Sequence, residues 1–292
     1  MRLGAVFPQT EIGTDPAAIR AWAQAVEDLG YQHIVAFDHV LGAGTDTRPG
    51  WQGFTSEHPF HEVFVLFGFL AAVTRTVELA TGVLVIPQRQ TVLVAKQAAE
   101  VDVLSGGRFR LGVGIGWNQV EYDALGEDFT NRGIRSAEQV ELLRELWAAP
   151  TVTYAGRWHR VDNAGINPRP AGGRIPVWFG GDAEPTLRRI ARSGDGWLAE
   201  SGPAHAARTK VERIRWYAEQ FGRNPNDIGL EPRLSLAAVP EPDRADYVNA
   251  WRDLGATHLS INTMGLRLST VDDHIAALAG VAAGGGFPTI QS

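Results

Sequence analysis

The stretch Val77-Glu78-Leu79-Ala80-Thr81-Gly82-Val83-Leu84-Val85-Ile86 is a long apolar run, and the residues after it decide the fold. Its β-branched content predicts a strand, interrupted at Gly82. An isolated glycine inside a strand marks a bulge or a close backbone approach. A helix is predicted from about Val92 to Leu104, closed by Gly106 and Gly107, and then a strand from Phe109 to Ile115. Strand, helix and strand in this order form the β/α unit from which parallel sheets are built.

The same rhythm runs outward in both directions. Arg2–Pro8, His33–Phe37, Val177–Phe179, Gly196–Ala199, Leu234–Val239 and His258–Ile261 are the other strand candidates. Asp15 and Pro16 open a helix whose face is Ile19, Trp22, Val26 and Leu29, and Gly30 stops it. Further helices are expected from about Glu62 to Thr74, from a capping box at Ser136 and Gln139, and from about Asp182. The faces Val211–Phe221 and Tyr247–Leu254, and a start at Thr270 and Asp273, complete the alternation. Eight strands alternating with about eight helices over 292 residues fit one (β/α)8 TIM barrel, spanning 1–292 as a single α/β domain. Such a barrel needs ~250 residues, and the surplus lies in long loops after strands 2 and 4, about 40–61 and 117–176. Both loops follow strands, so both rise over the C-terminal mouth, where barrel enzymes keep their sites.

Composition narrows the chemistry. The chain has no cysteine, which excludes disulfides, thiol catalysis and cysteine metal sites. A net charge of -6 argues against nucleic acid as a partner. Arg188, Arg189 and Arg192 stand at helical spacing and read as a solvated face or a rim beside a phosphate. The longest apolar run, Val63–Val73, is too short to span a bilayer, and the N-terminus reads as a strand rather than a signal peptide. A cytoplasmic protein acting on a small molecule is therefore expected, with no membrane partner.

Three places carry candidate chemistry. Asp38 and His39 end the second strand, where an imidazole can exchange a proton near neutral pH and a neighbouring carboxylate can orient it; the bland alternative is a loop cap. Gly112-Val113-Gly114-Ile115-Gly116-Trp117-Asn118 is not a dinucleotide fingerprint, because Trp117 stands where the third glycine belongs. Its small residues admit a flat ring or a sugar-like chain, or simply a tight barrel corner. Gly180-Gly181-Asp182 opens a helix and suits either a phosphate or an ordinary turn. His58 and His61 flank Pro59 at a spacing that matches no ligand pattern, so they read as loop packing and no metal is expected. Gly194-Asp195-Gly196 lies at the opposite end and reads as structural.

Several ordered motifs together resemble a known family. Thr81–Arg89, Ala95-Lys96-Gln97-Ala98, Asp102–Arg108 and Leu111–Trp117 look like the luciferase-like monooxygenase superfamily, and most like its coenzyme F420-dependent oxidoreductase branch. Arg132-Gly133, Asn167-Pro168-Arg169-Pro170, Gly180-Gly181 and Gly194–Trp197 continue the resemblance. It implies a barrel that binds a deazaflavin (F420) or, alternatively, FMN at its mouth, in a homodimer. It places a non-prolyl cis bond at Gly82–Val83, with Thr81, Gly82 and Val83 under the ring. Gly114, Ile115, Gly116, Trp117, Gly180 and Gly181 fall on cofactor-binding positions, and Asp38 and His39 on the catalytic pair.

The departures redirect the substrate. Relatives that oxidise sugar phosphates carry a glutamate where this chain has Trp117, and a tryptophan where it has Gly42 and Ala43. Trp117, Phe54 and Trp51 instead point to an apolar or aromatic-lined site. The expected activity is hydride transfer between F420 and a small apolar or aromatic compound. The rivals are an FMNH2-dependent monooxygenase and a non-catalytic flavin or deazaflavin carrier.

Overall fold

A computed structural model describes residues 1–199 and 202–284. Its strands are β1 (Arg2–Val6), β2 (His33–Ala36), β3 (Glu78–Thr81), β4 (Leu84–Val85), β5 (Phe109–Gly114), β6 (Val152–Ala155), β7 (Arg160–Ala164), β8 (Val177–Gly180), β9 (Gly196–Leu198), β10 (Gly229–Glu231), β11 (Arg233–Ser235) and β12 (His258–Asn262). The helices are α1 (Pro16–Asp28), α2 (Val63–Val73), α3 (Thr91–Ser105), α4 (Gln119–Ala124), α5 (Arg132–Ala148), α6 (Glu184–Ser193), α7 (Ala204–Gln220), α8 (Glu241–Asp253) and α9 (Val271–Ala283).

All strands except the β6–β7 hairpin join one parallel sheet, in the order β10-β9-β8-β5-β3-β2-β1-β12-β11 with β4 on β5. The two ends of that path, β10 and β11, are consecutive in the chain and separated only by Pro232. One bent strand therefore carries the ladder from β9 to β12 and closes the ring. The ten strands occupy eight barrel positions, because the third and seventh are each divided in two. Proline has no N–H to give a ladder, so it sits where the partner changes, while its carbonyl still accepts from Ser260 N at 3.1 Å.

Four expectations are corrected. The strand expected over Val77–Ile86 is broken into β3 and β4 at Gly82–Val83, a cis peptide bond. The strand expected over Leu234–Val239 lies earlier, over β10 and β11; its second half is a turn in which Ala238 N and Val239 N both donate to Ser235 O. Ser136 and Gln139 are not a capping box, since α5 begins at Arg132. Ser136 Oγ donates back to Gly133 O, and the Gln139 amide reaches Ile86 O and Arg89 O across the interior. The long segment after β5 also carries structure of its own, α4 and the β6–β7 hairpin.

The helix ends follow their chemistry. Asp15 accepts from Ala17 N at 2.9 Å ahead of Pro16, and Thr270 with Asp273 forms a capping box on α9. Trp22, Trp147 and Trp251 are fully buried between helices and barrel. The barrel floor is polar. Arg110 donates to Glu231 and Glu78 at 2.6 Å each and stacks over Trp178 at 4.3 Å, while His33 Nε2 lies 2.8 Å from Glu231. Burial alone would raise the Glu231 carboxyl, but Arg110 and His33 hold it well below its ordinary range. This closed ion network shuts the bottom of the barrel and leaves the chemistry to the open mouth. Among the described residues, no helix is long and apolar enough to cross a membrane.

Candidate functional site

Asp38 and His39 leave the top of β2 in opposite directions. Asp38 is buried; its Oδ2 accepts Val85 N at 2.9 Å and its Oδ1 accepts Arg89 Nη2 at 2.6 Å. Arg89 extends its other nitrogen to Glu62 Oε1, 2.8 Å away, at the start of α2. Asp38 therefore fastens the divided third strand to the second. It does not orient the neighbouring imidazole.

That carboxylate is Glu121, which the sequence did not single out. Carried on α4 and only 1% exposed, it accepts His39 Nδ1 at 3.1 Å, Val40 N at 2.9 Å, Leu41 N at 3.3 Å and Gln88 Nε2 at 3.3 Å. Burial pushes this carboxyl up, and the His39, Val40 and Gln88 contacts outweigh it and hold it below its ordinary range. An ionised carboxylate only accepts, so the proton between the pair sits on Nδ1 and Nε2 is left for other partners. Among the described residues, Nε2 makes no hydrogen bond. A signal was available: Asn118, three residues before Glu121, accepts Val120 N as a helix cap, and Asn-x-x-Glu is a capping-box pattern. Here the glutamate turns away from its own helix to His39.

Aromatic rings surround the imidazole. Phe54 and Phe60 lie 4.8 Å from its centroid and Trp117 lies 5.9 Å away, with Trp51 6.0 Å beyond Trp117. Thus Trp117, Phe54 and Trp51 gather at one place. Gly42 cannot carry a large side chain: a Cβ there would stand 2.1 Å from the Thr55 carbonyl. The rings beside His39 come instead from further along the same loop. His58 and His61 are loop ties, His58 Nδ1 to Thr55 and His61 Nε2 to Gly13 O. Among the described residues, no group of histidines and carboxylates could hold a metal.

The glycines flagged at the strand ends have packing reasons first. A Cβ on Gly114 would meet Val83 Cγ2 at 2.4 Å, and one on Gly180 would meet Val83 Cγ1 at 2.7 Å. Val83 thus stands in the mouth between β5 and β8, with Gly82 pressed against Val35. Thr81 is committed as well, its hydroxyl donating to Gly112 O at 2.6 Å. Ile115 accepts the Tyr122 hydroxyl, and Gly116 has a positive φ of 64°.

Just outside Gly114 and Gly180 lies a recess of about 10 Å3, roughly the room of one water, lined also by Ile115, Ser136, Thr186 and Arg189. Gly181 turns the chain at φ 92°, and α6 begins without a side-chain cap. Arg189 is drawn inward, and burial lowers its pKa. The only hydrogen-bond partner of its guanidinium among the described residues is the Ser136 hydroxyl, at 2.7 Å. A part-buried guanidinium without a carboxylate and the Thr186 hydroxyl are the donors facing this recess, since Ser136 Oγ already gives its proton to Gly133 O. The expected arginine group divides here, since Arg188 stacks over Tyr217 instead.

The comparisons with known proteins agree with this architecture. The family model of luciferase-like monooxygenases matches residues 1–273, so the chain belongs to that family. It is 30% identical over 207 residues to an F420-dependent glucose-6-phosphate dehydrogenase of Mycolicibacterium fortuitum, covering 68% of this chain and 61% of that one. It is 32% identical over 186 residues to pyrimidine monooxygenase RutA of Allorhizobium ampelinum, covering 60% of this chain and 50% of that one. Among solved structures, an F420-dependent secondary alcohol dehydrogenase in complex with an F420-acetone adduct superposes with a TM-score of 0.79. That match covers 100% of this chain and 99% of the other at 16% identity, a likeness of fold.

Proposed function

We propose that the protein is a cytoplasmic F420-dependent oxidoreductase that transfers a hydride between the deazaflavin and a small apolar or aromatic compound. The observation that carries the proposal is the carboxylate-held imidazole of His39, ringed by aromatic side chains at the barrel mouth. The backbone at Thr81–Val83 would underlie the coenzyme ring. Gly114–Trp117 would follow its chain, and Gly180, Gly181 and Arg189 its phosphate. When bound, the coenzyme supplies the hydride chemistry. The chain supplies position and a proton: His39 Nε2 gives or takes it at a polar atom of the substrate, while Glu121 keeps Nδ1 protonated and the ring fixed. Phe54, Phe60 and Trp117 would hold an apolar body and keep water from the reacting atoms.

The monooxygenase relatives favour a second reading, with reduced FMN and oxygen. Turnover with and without oxygen separates the two. Hydride transfer proceeds anaerobically, whereas monooxygenation stops.

We further propose a homodimer formed through α2 and α3. Helix α2 is apolar nearly all round yet exposes Val65 at 74%, and α3 exposes Leu104 at 58% beside Val103. Apolar helix faces of this kind mark interfaces.

A further inference from the structure

The segment from Gly44 to Phe54 is bonded to itself above His39. Its ends meet where Ser56 N donates to Ala43 O at 3.1 Å and Thr55 bridges to Ala43. Within it, Arg48 N donates to Thr45 O and Arg48 Nη1 to Gly44 O, each at 3.1 Å. Trp51 N donates to Arg48 O, and the Trp51 indole Nε1 to Phe54 O at 3.2 Å. Among the described residues, no hydrogen bond or ion pair joins 44–54 to anything outside 43–56. Ring packing alone ties the segment to the body. Trp51 leans on Trp117 at 6.0 Å, while Phe54 lies 4.8 Å from the His39 ring and 4.6 Å from Phe60. Gly53 meets the Trp117 indole so closely that a Cβ there would stand 2.2 Å from it. Beneath these rings the His39 side chain is 11% exposed, whereas Trp117, on the outside, is 48% exposed.

We infer that segment 44–54 is a cap that lifts from and closes over His39, with Trp51 on Trp117 as its latch. A loop whose hydrogen bonds are all internal can move as one body without breaking any of them. Its docked position then depends on a few aromatic contacts, each individually weak. Trp51 acts through Trp117 and is a positioning residue. Opening uncovers His39 Nε2 to an entering molecule, and closing brings the rings back and sheds water. Only apolar or aromatic surface replaces the ring contacts that must part, so the cap favours a substrate of that class. This preference rests on the function proposed above; the cap and its latch do not.

The test is carbethoxylation of the whole protein by diethyl pyrocarbonate at neutral pH, read histidine by histidine by peptide mass spectrometry. The reagent takes an unprotonated ring nitrogen, which on His39 is Nε2. Exposed His205 is the reference, and His33, buried in the barrel floor, is the control for loosening of the fold. In wild type His39 should react well below the rate of His205, and His33 not at all. Trp51→Ala should raise the His39 rate about two- to tenfold, the worth of one aromatic pair, with His205 and His33 unchanged. Trp51→Phe keeps a ring and should stay near wild type. A wild-type His39 that reacts as fast as His205 overturns the cap. An unchanged His39 rate in Trp51→Ala, a His33 that turns reactive there, or a Trp51→Phe rate as high as that of Trp51→Ala overturns the latch. No coenzyme is added, so any of these failures leaves the deazaflavin reading standing.

Discussion

His39 Nδ1 and Glu121 Oε1 face each other at 3.1 Å across the two long connections that rise over the barrel mouth. The glutamate also collects Val40 N and Leu41 N, so it fixes the backbone after His39 as well as the ring. Removing its charge should therefore impair turnover without emptying the coenzyme site. For Glu121→Gln we expect kcat to fall about 10²–10⁴-fold, the range for losing the carboxylate that holds the tautomer of a working imidazole, with coenzyme affinity nearly unchanged. Nitrogen NMR of the His39 ring should show proton on Nδ1 in wild type and a lost tautomer preference in Glu121→Ala. An unchanged ring spectrum and unchanged kcat would remove Glu121 from the mechanism.

Proton transfer by a positioned side chain contributes about 10²–10⁴ in rate. His39→Asn should lose at least the lower end of that range while still binding coenzyme, as read by equilibrium titration. Full activity in this variant would show that the proton travels by another route.

Val83 and its two glycines form a steric unit. Gly114→Ala and Gly180→Ala each force a methyl into Val83 and should cost about 1–3 kcal/mol by chemical denaturation. Val83→Ala should recover most of that cost in the double variants. Additive losses would mean that the glycines serve something other than this side chain.

The barrel floor should make the fold acid-sensitive. Burial, with Arg110 and His33 nearby, lowers His258 from 6.5 to about 3. A histidine depressed in the folded state takes up its proton on unfolding, so stability is lost as pH falls from about 6.5 towards 3, by about 1.4 kcal/mol per unit. Glu231, also depressed, adds loss at the acid end. Urea unfolding at pH 7 and pH 5 should show this slope, and His258→Asn should flatten it. A stability flat across that range in wild type would contradict the burial of a neutral His258.

The barrel was legible because its signals are local: glycine stops, proline starts and apolar periodicity. Strand β10 escaped because Pro232 reads as a break, and only the ring shows that the ladder changes partners there. His39 was visible from its place at a strand end. Glu121 lies 82 residues away on a short helix, and no periodicity links the two. Gly114 and Gly180 attracted notice, but their common neighbour Val83 emerges only from the three-dimensional register. Arg189 looked like its neighbours Arg188 and Arg192, and only its inward course distinguishes it.

The identity of the coenzyme is decided by equilibrium titration of the purified protein with F420 and with FMN under the same conditions. Saturable, tight binding of F420 and markedly weaker binding of FMN are expected. Tight binding of FMN with none of F420 would contradict the deazaflavin reading and hand the site to the monooxygenase reading.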